Sequence, residues 1–460
     1  MTASKEKHVS VQEKPFDLIV IGAGASGLAT ANRAADLGAR VLLLEKGSAV
    51  GGSAALSAGI LWTAPSIEVL DRIQPDADPV LGPLVVQGYE QAVADVRAAG
   101  VAVSDEWLDH LEWGRACKID IPGLFAAWSA KVVDSGGEVV THVRDVELER
   151  DDRRVTGVTY SHGGARQRAT ARAVVLATGG FQGDPQLTQQ FIGNGADDIA
   201  VRSNPNSVGD GFRLAASAGA GASRHLSGFY GHTLPSPLAV SPQVFLRLTL
   251  YFSAYGVIVN RLGRRFTDES LGDEVSNQFL VRQPGRRGVL IWDDEVQQNR
   301  ALAVPYPSGM ALDRHAEATA AGARTAETET LEELVEVVAG WGVDRAGLAD
   351  TLDGYRRAAS GEGVALDAPL PERPSPLRTG PFRAVEIQPC ITIPFGGIRV
   401  DGDSRALDRD GQPIDGLFAV GADAGGAQDL RYIGGIVFGF VFGRRAADAA
   451  LAGVTAGARA

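Results

Sequence analysis

The hydrophobic positions of this chain change period several times, and each change marks an element. Phe16 and Leu18–Ile21 form a short apolar run, the mark of a buried strand. Gly22, Gly24 and Gly27 follow at once, then a helical pattern, then a second apolar run, Val41–Leu44, that ends in Glu45. Residues 46–60, KGSAVGGSAALSAGI, are rich in small residues and read as a loop suited to close approach of backbone to a flat ligand. Residues 66–135 mix helical patterns with turns, and Leu124, Ala127, Trp128, Lys131 and Val132 mark a core-facing helix. Strands then fill 137–178: GGEVVTHVRDVELERD, RRVTGVTYSH and the run from Arg168 to Gly180, with the charged Arg150–Arg154 as a hairpin turn. The last run ends in Ala177-Thr178-Gly179-Gly180, a bend at the carboxyl edge of a parallel sheet, where ligands bind.

The middle of the chain has another character. A loop at 204–211 leads into a helix over 212–222 that Asp210 is placed to cap. Phe229, Tyr230 and His232 form a polar-aromatic cluster, and Pro235 and Pro237 suggest a boundary. Leu246–Asn260 is apolar and aromatic, GRRFTDES is a polar turn, and Gly288–Asp294 is a strand. Residues 327–359 look helical, with Leu331, Leu334, Val335 and Val338 on one face, and the five glutamates from Glu327 to Glu336 on a solvated one. The proline-rich 368–381 reads as a linker back to the first domain. From Phe382 the sheet pattern resumes, through a turn-rich hairpin to Gly416–Asp423, a glycine-rich loop, Arg431-Tyr-Ile-Gly-Gly435 and a last helix, IVFGFVFGRRAADAALAG. The expected fold is α/β: a doubly wound Rossmann-like domain from 16–230 and 376–455, an inserted α+β cap over 231–375, and a loose tail at 1–15.

Composition narrows the function. The chain has 460 residues with a net charge of −12, which disfavours nucleic acid and anionic membranes as partners. Cys117 and Cys390 make neither a metal pattern nor a disulfide framework, so no metal is expected and a reducing cytoplasm is. No apolar run reaches the ~20 residues needed to span a bilayer.

Chemistry enters with Gly22, Gly24 and Gly27. The first glycine permits a tight turn, the second lets backbone approach a pyrophosphate, and the third lets helix and strand pack closely. The helix N-terminus, at Ala25 and Ser26, offers N–H groups to phosphate. Glu45, 23 residues after Gly22, stands where an acid takes ribose hydroxyls. Three loops, 22–27, 177–180 and 421–435, are built to touch one cofactor, where a nicotinamide domain would need only the first. With GGSAALSAGI, SVGDG, VNRLGRRFTDE, GLFAVGADAGG and RYIGG, the order from 16 to 450 resembles FAD-binding flavoproteins. More specifically, it resembles the fumarate reductase and ketosteroid dehydrogenase superfamily.

The resemblance implies FAD, with Glu45 on the adenosine ribose and Gly22–Gly27 on the pyrophosphate. Gly51, Gly52, Ser53, Ser57 and Gly59 would lie along the flavin, and Asp423 on the ribityl chain. The helix starting near Ile436 would aim its N-terminus, with Gly435 and Val437, at the pyrimidine edge. Lys46, Val146, Ala177, Thr178, Gly179, Asp210 and Gly421 complete the expected cofactor shell. No histidine lies between His8 and His110, so the flavin should be non-covalent, and no second GxGxxG follows a strand.

The reaction is narrowed by departures from the fumarate reductase pattern. Gly272 and Asp273 stand where an arginine acid is expected, and Cys390-Ile-Thr-Ile-Pro-Phe lacks the expected histidine. Arg431-Tyr432 resembles the ketosteroid dehydrogenase pattern, in which a tyrosine and a glycine N–H hold the substrate ketone. Tyr432 would take that place, with Gly435 or Ile436 supplying the N–H. Arg431 would lower a tyrosine's pKa or bind a substrate carboxylate. Tyr251 and Tyr255 are candidate proton acceptors, although their spacing of four equally fits a buried helix face. His232 is a candidate to orient or protonate substrate, or a structural histidine. The expectation is an FAD-dependent dehydrogenase acting on CH–CH groups: 1,2-desaturation of a cyclic ketone, passing electrons to an unidentified acceptor. The alternative is an enoate or fumarate-type reductase running the reverse reaction. An amine or alcohol oxidase and a non-catalytic flavin redox sensor stand further off.

Overall fold

The computed structural model describes residues 9–11, 14–111, 113–152, 154–307 and 309–452. They fall into two compact units, drawn from residues 1–192, 204–228 and 393–460 and from residues 193–203 and 229–392. Most of the expected tail lies outside the described residues. Val9–Val11 within it forms a short strand beside Arg166–Arg168.

The first unit is built on a parallel sheet with strand order 138–140, 41–44, 16–21, 165–176, 413–419, and an antiparallel edge at 405–407. Phe16, Leu18–Ile21 and Val41–Leu44 are buried, as strands covered on both faces must be. The chain steps outward from Phe16–Ile21 in one direction, then returns to its other side at Ala165–Leu176. That reversal is a topological switch point, where doubly wound sheets bind ligands at their carboxyl ends. The expected strand over 137–152 is two strands: Glu138–Val140 extends the parallel sheet, and Arg144–Asp151 turns away to pair antiparallel with Arg154–His162.

Two helices at opposite ends of the sequence pack together here. The first helix, Ala25–Asp36, lies against the C-terminal helix, Gly435–Ala450. A Cβ on Gly439 would sit 3.2 Å from Ser26, and one on Gly443 would sit 2.7 Å from the Ser26 carbonyl and 2.9 Å from Thr30 Oγ1. Further along, Arg33 pairs with Asp448 at 2.7 Å. The register 26–439, 30–443, 33–448 means that the helices run parallel, with their N-termini at the same end.

The second unit is an antiparallel sheet around Phe382–Ile391, which is buried along its whole length. Thr233–Pro235, Gly288–Trp292 and Thr325–Thr328 pair with it antiparallel, and Val257–Asn260 pairs with Gly288–Trp292. The proline-rich segment therefore leads into the spine of this unit, and the chain returns to the first unit at 393 instead of 376. The expected helix over 327–359 is a strand and two helices, Leu331–Ala339 and Arg345–Ala359, parted at Gly342, whose φ is +91°. Leu331, Leu334, Val335 and Val338 face the core and the five glutamates face solvent, as their spacing predicts.

Among the described residues, no helix is long and apolar enough to cross a membrane, and no cluster of His, Cys, Asp or Glu is placed to hold a metal.

The helix pair makes a sharp prediction. Gly443→Val forces a side chain into the Ser26–Thr30 surface and should cost about 2 kcal/mol by overpacking. Urea unfolding should show a lower midpoint at unchanged slope; an unchanged midpoint would mean that the helices are not held at this distance.

Candidate active site

The glycine loop is set by close backbone contacts. Gly22 has φ +104°, and a Cβ there would lie 2.2 Å from the Ala177 carbonyl oxygen. A Cβ on Gly27 would lie 1.9 Å from the Gly22 carbonyl. The loops after the two strands flanking the switch point are thus in van der Waals contact. The first helix starts at Ala25 behind Gly24, with no side chain capping it, so its leading N–H groups are available to an anion. Gly51 N–H donates to the Ala23 carbonyl at 2.8 Å, which seats the 51–56 loop along the glycine loop. Within it, the Ser57 hydroxyl donates to the Ala54 carbonyl at 2.7 Å and accepts from Gly59 N–H at 3.2 Å, and Ser53 Oγ accepts from Asn204 N–H.

Glu45 braces this cradle. One carboxylate oxygen accepts from Ala23 N–H at 2.8 Å and the other from Gly47 N–H at 2.6 Å, which leaves lone pairs for further donors. Lys46 pairs with Asp210 at 2.6 Å and donates to the Asn206 carbonyl. Asp210 is the first residue of its helix, behind Gly209, and does not cap it: its carboxylate is turned to Lys46. Val146 lies half-buried on Arg144–Asp151, packed against the core of the unit.

Asp423 is fully buried and ties three loops together. Its carboxylate accepts from Thr178 N–H, from Thr178 Oγ1 at 3.0 Å and from Gly180 N–H at 3.0 Å, while Thr178 Oγ1 accepts from Gly211 N–H at 2.9 Å. Burial pushes its carboxyl pKa up, and the three donors act against that shift. Gly421 closes the arrangement, since a Cβ there would lie 2.3 Å from Ser26 Oγ.

The loop before the C-terminal helix is held by two buried amides. Gln74 Oε1 accepts from Asp429 N–H at 2.8 Å, and its Nε2 donates to the Arg431 carbonyl. Gln428 Oε1 accepts from Ile433 N–H at 2.9 Å. The loop presents Arg431, half-buried and with no acidic partner among the described residues. It also sets Tyr432 so that a Cβ on Gly435 would sit 2.8 Å from the Tyr432 hydroxyl. The hydroxyl therefore lies over the first turn of the C-terminal helix, which begins behind Gly434 with no capping side chain and continues through Ile436 and Val437. The Tyr432 ring stands edge-on to Trp62, with centroids 5.4 Å apart, and His110 and Trp113 pack on that tryptophan. Burial among these rings pushes the His110 imidazole down to about 4.

The remaining candidates lie in the second unit. His232 is 2% exposed; its Nδ1 meets Asp273 Oδ2 at 2.5 Å and its Nε2 meets the Tyr230 hydroxyl at 2.6 Å. Burial lowers the imidazole pKa, so the neutral ring donates Nδ1–H to Asp273 and offers its Nε2 lone pair to Tyr230. Tyr251 and Tyr255 do not share a helix. Phe245–Leu248 and Ser253–Tyr255 are separate single turns, because strand Val257–Asn260 begins at once. Tyr251 packs edge-on against His232 at 5.6 Å, and Tyr255 lies under Arg300 at 4.3 Å. Burial pushes the Tyr251 phenol up, the opposite of what a tyrosinate base needs. The sequence groups Tyr230 with His232 in one cluster, while Asp273 gives no sign of its bond to the His232 ring. Residues two apart in extended chain share a face, which makes Tyr230 and His232 readable in retrospect; nothing local points to Asp273.

A glycine loop at the switch point, an uncapped helix N-terminus and a carboxylate, Glu45, directly after the second strand fit a dinucleotide. The same folding unit carries a second uncapped N-terminus, which fits a flavin as the other end of that dinucleotide. The chain belongs to the FAD binding domain family, whose model matches residues 118–437, and residues 17–182 also match an FAD dependent oxidoreductase model. It is an FAD-dependent oxidoreductase. It is 25% identical to a fumarate reductase (cytochrome) of Shewanella frigidimarina, over 95% of this chain and 78% of that protein. It is 26% identical to a 4-oxocyclohexanecarboxylate 2-dehydrogenase of Sinomonas cyclohexanicum, over 98% and 96%. Its fold matches that of 3-ketosteroid delta1-dehydrogenase from Sterolibacterium denitrificans with a TM-score of 0.74 and 19% identity, over 95% of this chain and 99% of that one.

The buried imidazoles give the protein an acid limit. A histidine held neutral by burial gains protons only on unfolding, so its contribution is present above pH ~6.5 and is lost as pH falls. For His110 the loss runs from about 6.5 down to about 4, and His232 acts in the same direction. Urea midpoints at pH 7 and pH 4.5 should differ less in His110→Phe than in the wild type, by about 1.4 kcal/mol per pH unit over that window. Equal differences would show that His110 is protonated in the folded protein.

Proposed function

We propose that this protein desaturates a cyclic ketone between the carbons α and β to the carbonyl. The observation that carries the reading is the placement of the Tyr432 hydroxyl over Gly435, beside the leading N–H groups of the C-terminal helix. A hydroxyl and a backbone N–H aimed at one point suit a ketone oxygen that gains negative charge as an α proton leaves. One such donor is worth roughly 3 kcal/mol, or about 10²-fold in rate. Arg431, which forms no ion pair among the described residues, is proposed to add positive charge to that point or to take a substrate carboxylate. Within the second unit, His232 is held in one tautomer by Asp273 and accepts from the Tyr230 hydroxyl, an arrangement suited to a proton acceptor. Tyr251 and Tyr255 then serve as packing and orienting residues.

Bound FAD supplies the two-electron acceptor for the hydride leaving the β carbon. The first unit is proposed to hold it: Gly22, Gly24 and Gly27 with Ala25 and Ser26 at the pyrophosphate, Glu45 at the ribose, and Gly51, Gly52, Ser53, Ser57 and Gly59 along the ring system. Asp423 is proposed to work chiefly by fixing the Ala177–Gly180 bend, beside the ribityl chain expected there. The C-terminal helix N-terminus, at Gly435–Val437, stabilises negative charge by up to ~2 kcal/mol in favourable geometry.

The reverse reaction, reduction of an enoate, is supported by the likeness to a fumarate reductase and by the unpaired Arg431. The net charge of −12 and the free thiols of Cys117 and Cys390 support a cytoplasmic enzyme acting on a small molecule.

Anaerobic addition of simple cyclic ketones should bleach the oxidised flavin band. Failure of every ketone to do so, together with reoxidation of the reduced flavin by an enoate, would replace this reading with the reductase one. Tyr432→Phe should retain flavin and lose about tenfold or more of turnover; unchanged turnover would remove Tyr432 from the reaction.

A further inference from the structure

The second unit contains two buried guanidinium groups that form no ion pair among the described residues. Arg202 is 8% exposed and Arg314 is 2% exposed, and among the described residues neither forms an ion pair with an acid. The Nε of each is buried and has no hydrogen-bond partner. Arg202 donates only to neutral oxygens, the Phe245 carbonyl at 3.3 Å and Thr249 Oγ1 at 3.4 Å, and its guanidinium stands 5.4 Å from the Phe245 ring. Arg314 stands 5.3 Å from the Tyr251 ring. Both lie against one short segment: Arg202 bonds Thr249 Oγ1, and Tyr251, two residues on, carries Arg314 on its ring and stands 6.2 Å from the ring of Tyr306.

Several acids in the neighbourhood are engaged with other groups: Asp198 pairs with Arg286 at 2.6 Å, Glu317 pairs with Arg247 at 2.6 Å, Asp313 accepts from the N–H groups of His315 and Ala316, and the Asp273 carboxylate accepts from the His232 ring. Arginine does not escape burial by losing its proton. A buried guanidinium outside any ion pair is destabilising, and stacking on an aromatic ring offsets only part of that. Two such groups against one short segment are retained where a ligand supplies the complementary charge.

We propose that Arg202 and Arg314 form a carboxylate-binding site in the second unit, with Tyr251 and Tyr306 as its aromatic walls. Planar guanidinium forks match the two oxygens of a carboxylate, and phenol rings suit an apolar or ring-bearing acid behind it. The carboxylate is either part of the molecule being oxidised or a separate organic acid. The site stands whichever direction the flavin chemistry runs.

The test is calorimetric titration of the flavin-loaded protein with cyclohexanecarboxylate and with the neutral cyclohexanecarboxamide, on wild type, Arg202→Met, Arg314→Met and Arg431→Gln. The acid should bind and the amide should not. Each Met variant should weaken the acid by about tenfold or more, as loss of a charged hydrogen-bonding partner does. The Met variants should also unfold no more easily than wild type without ligand, and should lose the rise in melting temperature that the acid gives the wild type. A perturbed flavin absorption spectrum on binding assigns the acid to the reacting molecule; an unperturbed one assigns it to a separate effector. The proposal is overturned if acid and amide behave alike, if both Met variants bind the acid as wild type does, or if the loss falls on Arg431→Gln alone. It is also overturned if the Met variants fail to fold, since the cations would then be stabilising without a ligand.

Discussion

The first unit depends on the parallel packing of two helices that start more than four hundred residues apart. Gly439 and Gly443 present bare backbone to Ser26 and Thr30, so the axes come closer than any larger side chain would allow. Because the helices run parallel, their positive ends fall on one side of the sheet. Alone, each N-terminus is a modest anion site. Together they suit a molecule with phosphates at its middle and a ring that accumulates negative charge when reduced.

Around this pair, the loops are fixed by backbone contacts and one buried carboxylate. Gly22 rests on the Ala177 carbonyl, Gly51 bonds to Ala23, and Asp423 collects N–H groups from the Thr178–Gly180 bend. A buried carboxylate with three donors is rigid because each lost bond would leave a polar group without water. The cradle is thus held in shape by the protein's own polar groups. The loop bearing Arg431 and Tyr432 is held the same way, by Gln74 and Gln428.

How much of this could be read beforehand depends on how local the causes are. Strand, glycine loop, helix and Glu45 follow one another within thirty residues or so, and their pattern is legible. Phe382–Ile391 was read as part of the first domain, because a fully buried strand carries no sign of which sheet owns it and the prolines before it resemble a linker. Tyr251 and Tyr255 have helical spacing, yet two single turns and a strand start share that short stretch. The Gly435, Gly439 and Gly443 stripe recurs every four residues, but large apolar residues beside it hide its role. Asp273 reaches His232 across 41 residues, and Arg202 belongs to a short excursion of the chain into the second unit. Only three-dimensional packing brings such groups together.

The 415-residue separation between Arg33 and Asp448 has a consequence for biosynthesis. A chain emerging from the ribosome makes its glycine loop more than four hundred residues before the helix that packs beside it. At ordinary elongation rates the gap is on the order of half a minute. Until then the small-residue face of the first helix is bare, and a message truncated before codon 435 yields a chain that has its glycine loop but lacks the helix that fixes the first helix in place.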